Sequence, residues 1–188
     1  MVKALVFLAT GFEEIETVTV VDVLRRANID VTVASLTSNV VEGAYGMNVV
    51  ADKKINEVNV NDFDALVVPG GNPGYKNLRK DPRVIEMIKQ AYNANKFIAA
   101  ICAGPAVLSD SGILEGKNCT IYPGMENELE AGGANPLQDS VVVEGNIVTS
   151  RGPATALPFA IKLAEILLGK QVAEAVSKKT MANIAYVI

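Results

Sequence analysis

The stretch Lys96-Phe97-Ile98-Ala99-Ala100-Ile101-Cys102-Ala103-Gly104-Pro105 decides the fold. Lys96–Ile101 is a core strand: behind the lysine runs an unbroken apolar segment without the polar alternation of a half-exposed strand, so it reads as buried on both faces. Gly104-Pro105 then opens a short helix, since proline suits a first turn. A buried strand that turns sharply into a helix is half of a βαβ unit.

The chain repeats this alternation on both sides. Ala4–Leu8 is another continuous apolar run, followed by the loop Thr10-Gly11-Phe12-Glu13 and a helix over Glu14–Ala27, acidic at its start and ending in Arg25-Arg26 as the helix dipole favours. Asp30–Leu36 is a second strand. Val40–Val50 holds two short apolar pieces around Glu42-Gly43-Ala44-Tyr45-Gly46, which predicts a hairpin. Asp64–Val68 is a third core strand that ends at Pro69-Gly70-Gly71. Val84, Ile85, Ile88 and Ala91 place an amphipathic helix over Pro82–Asn93. Ser140–Val143 and Asn146–Ser150 flank Glu144-Gly145 as a hairpin or tight strand pair. Pro153–Leu168 reads as a long helix stopped by Gly169, and Ala173–Lys178 as a further helical turn.

Buried strands alternating with helices imply parallel βαβ units with right-handed crossovers. The predicted fold class is therefore α/β, a doubly wound and mainly parallel sheet with helices on both faces, formed by residues 1–188 as a single domain. Such sheets bind ligands beyond the carboxyl ends of their strands, near the switch in strand order. In a flavodoxin-like order, the loop after Ala9, the loop at Gly70-Gly71 and the loop at Cys102-Ala103-Gly104 converge.

Composition narrows the chemistry. Of 188 residues, 49% are hydrophobic and 20% charged, ordinary globular values that exclude a disordered chain. Seventeen basic residues against 21 acidic ones, with no basic block, argue against nucleic acid. The chain has no His and two Cys, so neither a Cys-His nor a Ser-His dyad forms within it, and no Cys₄ or Cys₂His₂ zinc site. No metal site is expected. No stretch approaches the ~20 apolar residues of a membrane helix, and the N-terminus lacks the pattern of a signal peptide. Two cysteines are too few for a disulfide framework, so the expectation is a soluble cytoplasmic protein with reduced thiols and no membrane association.

Three positions carry the chemistry. Cys102 lies where the strand turns into the helix, flanked by small residues at the spacing of a nucleophile elbow. Helix N-terminal amides favour a thiolate there, and the Ala103 amide is placed to hold an oxyanion. The competing reading is a buried structural thiol. Gly70-Gly71 follows a core strand, where successive N–H groups form an anion-binding nest or simply a tight turn. Neither phosphate-loop nor dinucleotide fingerprint is present, and no cofactor is expected. Glu16 lies four residues before Val20 on the buried stripe of its helix, so its carboxylate points into the protein at the ligand-binding edge. Burial raises its pKa. Glu13 and Glu14 read as acids that complement the helix dipole, a role also open to Glu16.

Together, Gly11-Phe12-Glu13-Glu14-Ile15-Glu16, Val21-Asp22-Val23-Leu24-Arg25-Arg26, Val68-Pro69-Gly70-Gly71, Ala99-Ala100-Ile101-Cys102-Ala103-Gly104-Pro105 and Thr149-Ser150-Arg151-Gly152-Pro153 resemble the ThiJ/PfpI superfamily, in the branch of the parkinsonism-associated deglycase (DJ-one). The ending Met181-Ala182-Asn183 is closer to bacterial members. The resemblance implies a flavodoxin-like homodimer with Cys102 as reactive cysteine, Glu16 as its hydrogen-bonded partner, and an oxyanion hole from the amides of Gly71 and Ala103. Glu14, Arg26, Gly70 and Tyr122 are expected at the periphery, with Arg26 near both dimer interface and site. It further implies glyoxalase- or deglycase-like activity on methylglyoxal and its adducts in oxidative and carbonyl stress, without a cofactor. The alternative is a non-catalytic redox sensor or chaperone that uses oxidation of Cys102. A flavin- or nucleotide-binding flavodoxin-like protein is a third reading. Two departures stand out: Tyr122 occupies the position where many members carry a His, and Tyr45 lies near where some carry an Arg. A phenol, with its pKa near ~10, is a poor base at neutral pH, which leaves proton transfer to Glu16.

Overall fold

The computed structural model describes residues 1–185. Its strands are β1 (Lys3–Leu8), β2 (Asp30–Ser35), β3 (Val40–Glu42), β4 (Asn48–Val50), β5 (Lys53–Lys54), β6 (Ala65–Val68), β7 (Phe97–Ile101), β8 (Asn118–Cys119), β9 (Asn135–Pro136), β10 (Val141–Glu144) and β11 (Ile147–Ser150). Its α-helices are α1 (Glu14–Arg26), α2 (Gly74–Lys80), α3 (Pro82–Asn93), α4 (Pro105–Asp110), α5 (Glu126–Glu130), α6 (Ala156–Leu168), α7 (Lys170–Lys179) and α8 (Ala182–Ala185).

Seven strands form one sheet in the order β10-β11-β7-β6-β1-β2-β5, parallel throughout except for β10 against β11. The neighbours β6, β1 and β7 are the third, first and fourth core strands of the sequence reading, which gives the flavodoxin-like order. Register lines up Leu5 with Leu66, Leu66 with Ile98 and Ile98 with Ile147.

Side chains alternate along these strands with period two, so each strand feeds two cores. Ala4, Val6 and Leu8 of β1 join Ala99 and Ile101 of β7 on one face, beneath Val20 and Leu24 of α1 and Phe159 and Leu163 of α6. Leu5, Phe7, Ile98 and Ala100 point to the other face, under Val84 and Ile88 of α3 and Val107 and Leu108 of α4. Because both faces are covered, Ala4–Leu8, Ala65–Val68 and Phe97–Ile101 carry no polar residue and read as unbroken apolar runs.

Both predicted hairpins form, β3–β4 with Val41 opposite Val49, and β10–β11 with Glu144 opposite Ile147. The helix read as Pro153–Leu168 begins as a 3₁₀ turn over Pro153–Thr155 and becomes α-helical at Ala156. The turn read at Ala173–Lys178 is the longer α7. Helix α2 was not legible: Gly-Tyr-Lys-Asn-Leu-Arg-Lys buries only Gly74 and Leu78, too few for an apolar stripe. It follows a cis peptide bond at Asn72-Pro73.

Candidate active site

The carboxyl ends of β1, β6 and β7 meet where the sequence reading placed the site, and β7 delivers Cys102 there. Cys102 has φ +61°, in the left-handed region that costs a non-glycine residue ~1–2 kcal/mol. Two backbone hydrogen bonds hold it: the Cys102 N–H donates to the Ser150 carbonyl at 3.0 Å, and the Tyr122 N–H donates to the Cys102 carbonyl at 3.0 Å. The turn aims the sulfur away from the sheet, toward the amides of Ala103 and Gly71, which donate to it.

Glu16 approaches from the first turn of α1. Glu13 caps that helix, its carboxylate accepting the Glu16 N–H at 2.8 Å. The Glu16 side chain is fully buried. Its Oε2 accepts the Gly70 N–H at 2.9 Å, and the carboxyl group is hydrogen-bonded to the Cys102 sulfur. Among the described residues Oε1 finds no nitrogen or oxygen partner. A buried carboxylate so sparsely supplied with donors is costly. Burial accordingly pushes the Glu16 pKa from 4.5 to about 7, helped by the charge of Glu13 and opposed by the hydrogen bonds from Cys102 and Gly70.

The thiol and the carboxyl titrate as a pair. Burial, then the charge of Glu16 and the hydrogen bond to it, push the Cys102 thiol up, against the pull of the Ala103 and Gly71 amides. The second and third of these causes act only while Glu16 is ionised. Two negative charges side by side in this pocket are disfavoured near neutrality, and the pair retains one proton between them.

The two glycines make this contact possible. A Cβ on Gly70 would lie 2.7 Å from the Cys102 Cβ and 2.8 Å from Glu16 Oε2, so any side chain there parts the pair. Gly71 adopts φ +94°, which turns its amide toward the sulfur, and its carbonyl accepts the Tyr75 N–H at 2.9 Å.

Around the sulfur opens a cavity of about 510 Å³. Cys102, Ala103 and Gly71 form its floor, and Tyr45, Tyr75, Tyr122, Met125 and Pro153 line it, with Glu13 as the charged member of the wall. Among the described residues no group of His, Cys, Asp and Glu is arranged to hold a metal ion.

Cys102, Glu16, Gly70, Gly71, Ala103 and Tyr122 thus come together. Two expected peripheral residues do not. Glu14 turns away from the cavity and accepts the N–H groups of Tyr45 at 2.7 Å and Met47 at 3.3 Å, clamping the tip of the β3–β4 hairpin. Arg26 lies at the far end of α1, about 15 Å along the helix from Glu16 at 1.5 Å per residue. It pairs there with Asp22 at 2.6 Å. The acids at the helix start divide differently from the sequence reading: Glu13 is the cap and a wall of the site, Glu14 the hairpin clamp. Sequence reasoning missed Tyr75 and Met125, because both follow turns with no periodic apolar pattern. Cys119 is fully buried in β8, and burial followed by the charge of Glu144 raises its pKa to about 11, as fits a packing residue.

Comparison with known proteins agrees with this geometry. Residues 2–166 match the model of the DJ-1/PfpI family. Protein dj-1beta of Drosophila melanogaster is 40% identical over 177 residues, covering 94% of this chain and 95% of that protein. Its crystal structure superposes with a TM-score of 0.92 at 39% identity, covering 96% of this chain and 97% of that one. The glutathione-independent glyoxalase DJR-1.2 of Caenorhabditis elegans is 36% identical over 159 residues, covering 85% of this chain and 84% of that protein. A deglycase of Pyrococcus abyssi is 35% identical over 151 residues, covering 80% of this chain and 90% of the enzyme.

Proposed function

The chain belongs to the DJ-1/PfpI family, and on that premise we propose that it is a cysteine-dependent glyoxalase or deglycase acting on methylglyoxal and its adducts, with a role in oxidative and carbonyl stress. The observation that carries the reading is the contact between a fully buried Glu16 carboxyl and the Cys102 sulfur beneath two inward-facing amides. The names of the nematode glyoxalase and the archaeal deglycase support the substrate class.

In the reactive form of the mono-ionised pair the proton sits on Glu16, and the amides of Ala103 and Gly71, which favour the ionised sulfur against its burial, hold the charge on Cys102. The thiolate adds to the aldehyde carbon of methylglyoxal, forming a C–S bond while the carbonyl electron pair moves to oxygen. The amides of Gly71 and Ala103 stabilise that oxyanion. Glu16 protonates it, then as a carboxylate removes the proton from the former aldehyde carbon and delivers it to the adjacent one, while the hydroxyl proton of the first carbon passes to the former ketone oxygen, which leaves a thioester of lactate. Water cleaves the C–S bond, releasing lactate and restoring the thiol. Tyr122, through its backbone, fixes the Cys102 turn; its phenol is not required as a base. Lactate formation from methylglyoxal by the purified protein, absent in Cys102→Ala, tests the reading.

The same atoms support a second reading. Peroxide oxidises the thiolate to the sulfenic acid with loss of hydroxide, a second equivalent gives the sulfinic acid, and the neutral Glu16 carboxyl is placed to hydrogen-bond the added oxygens. The protein would then sense oxidants rather than turn over carbonyls.

A cytoplasmic location fits two free cysteines, and no helix among the described residues is long and apolar enough to cross a membrane. We also propose a homodimer. In support, Val18 and Val21 of α1 and Val49 and Val50 of β4 share a groove also lined by Asp22, Arg25 and Asp52, and Ile15 of the same helix is 56% exposed.

A further inference from the structure

The cavity is far larger than a three-carbon aldehyde needs: about 510 Å³ lies within the range that holds drug-sized ligands. Its walls are also chemically one-sided. Tyr45, Tyr75 and Tyr122 line the cavity together with Cys102, Met125 and Pro153. Tyr45 is 82% exposed and Tyr122 47%, so both rings have open surface. Among the described residues no Lys or Arg lines the cavity, and Glu13 adds a carboxyl group to it. The Arg151 guanidinium donates to the Gln138 carbonyl at 2.8 Å, and the Lys76 ammonium sits over the ring of the wall residue Tyr75, 5.8 Å from its centroid, without itself lining the cavity.

We propose that this site prefers α-oxoaldehydes whose ketone carries a flat aromatic ring and rejects those that carry an anion, and that Tyr45, Tyr75 and Tyr122 set the preference. The inference rests on the carbonyl chemistry proposed above and adds its substrate class. Aromatic rings attract one another in edge-to-face or offset contact, and a pocket that leaves three phenol rings around an electrophile's landing site offers those contacts to an aryl group. An anionic substituent gains no cation here and meets Glu13. The reaction is the same: the sulfur adds to the aldehyde, the proton moves between adjacent carbons through Glu16, and water cleaves the thioester, so an aryl glyoxal plus water gives an aryl 2-hydroxy acid.

Two measurements on the purified full-length protein test this. In the first, Cys102 is alkylated by iodoacetamide in the presence of acetophenone, acetone or benzoate at equal concentration. Acetophenone should protect and the other two should not; equal protection by benzoate or by acetone overturns the proposal, whatever the enzyme turns over. In the second, phenylglyoxal and methylglyoxal are compared as substrates. Replacing Tyr45, Tyr75 or Tyr122 by Ala should raise KM for phenylglyoxal about 2- to 10-fold and lower the phenylglyoxal-to-methylglyoxal ratio of kcat/KM, while Phe at Tyr75 or Tyr122 retains the preference. An unchanged ratio in all three Ala variants overturns the proposal. Protection by acetophenone without turnover of either aldehyde overturns the proposed reaction and leaves the recognition standing.

Discussion

The Gly70 amide donates to Glu16 Oε2 at 2.9 Å, and through that bond β6 holds the carboxyl of α1 against the sulfur carried by β7. Three separate elements of the fold therefore fix the distance between acid and nucleophile. Gly70→Ala tests that geometry. A methyl group 2.7 Å from the Cys102 Cβ and 2.8 Å from Glu16 Oε2 must displace one of them. Small-to-large changes in packed sites cost ~1–3 kcal/mol of stability. Lactate formation should fall at least about 100-fold, because an ångström of misplacement at a reacting centre has that effect. Thermal unfolding of the variant, run beside the assay, separates the two consequences.

Glu14→Ala should loosen the hairpin tip without touching the sulfur. The Tyr45 and Met47 amides lose their shared acceptor; both residues are exposed, so water takes its place and the loss is ~0.5–1.5 kcal/mol. Hydrogen exchange should accelerate at Tyr45 and Met47 and stay unchanged in β1 and β7. Unchanged exchange at both hairpin amides would show that Glu14 does not clamp the turn.

The raised pKa of Glu16 has a signed effect on stability, most simply read in Cys102→Ala. There Glu16 titrates without the thiol, beside the charge of Glu13. Its folded pKa, about 7 in the native protein against the ordinary 4.5, loses the lowering hydrogen bond from Cys102 and stays raised, so the folded state holds the proton more tightly than the unfolded chain. The stabilisation is complete below pH ~4.5 and is lost as pH rises through the folded pKa, at up to ~1.4 kcal/mol per pH unit and ~3 kcal/mol in total. Urea unfolding from pH 5 to 8 should show that decline in Cys102→Ala and not in Cys102→Ala/Glu16→Gln. Parallel profiles for the two variants would mean that Glu16 is not buried as a neutral acid.

The valine groove between α1 and β4 predicts association. Light scattering at micromolar protein should give the mass of two chains, and Val50→Asp, at a position 72% exposed, should give the mass of one. A native mass of one chain contradicts the dimer.

The core strands were legible because Ala4–Leu8 and Phe97–Ile101 are covered on both faces, which leaves no polar residue to confuse the pattern. Glu16 was legible for the same kind of reason: it breaks an apolar stripe four residues before Val20, and a carboxylate in a stripe is conspicuous. The division of labour between Glu13 and Glu14 was not. Adjacent acids at a helix start look alike, and which one caps depends on a single residue of helix boundary. Arg26 was expected near the dimer interface and the site through family likeness alone, and within one chain helix geometry places it at the far end of α1. Tyr75 and Met125 were hidden because the cavity wall is assembled from loop-proximal residues that share no period. The left-handed turn at Cys102 was only half visible: small neighbours hint at an elbow, but the carbonyl of Ser150 and the amide of Tyr122 that hold it come from distant strands and loops.

The pH dependence of Cys102 alkylation by iodoacetamide, in native protein and in Glu16→Gln, tests the central claim most directly. Cys119, fully buried with its pKa raised to about 11, is the internal control and should label slowly in both. With the pair's remaining proton on Glu16, the thiolate forms as the first proton leaves, so the native thiolate should titrate in below the ordinary thiol value of ~8.5. In Glu16→Gln the neutral amide keeps the sulfur reactive at neutral pH, while lactate formation from methylglyoxal is abolished. A native profile centred near the free-thiol value of ~8.5, or full turnover in Glu16→Gln, would contradict the shared proton on which this mechanism depends.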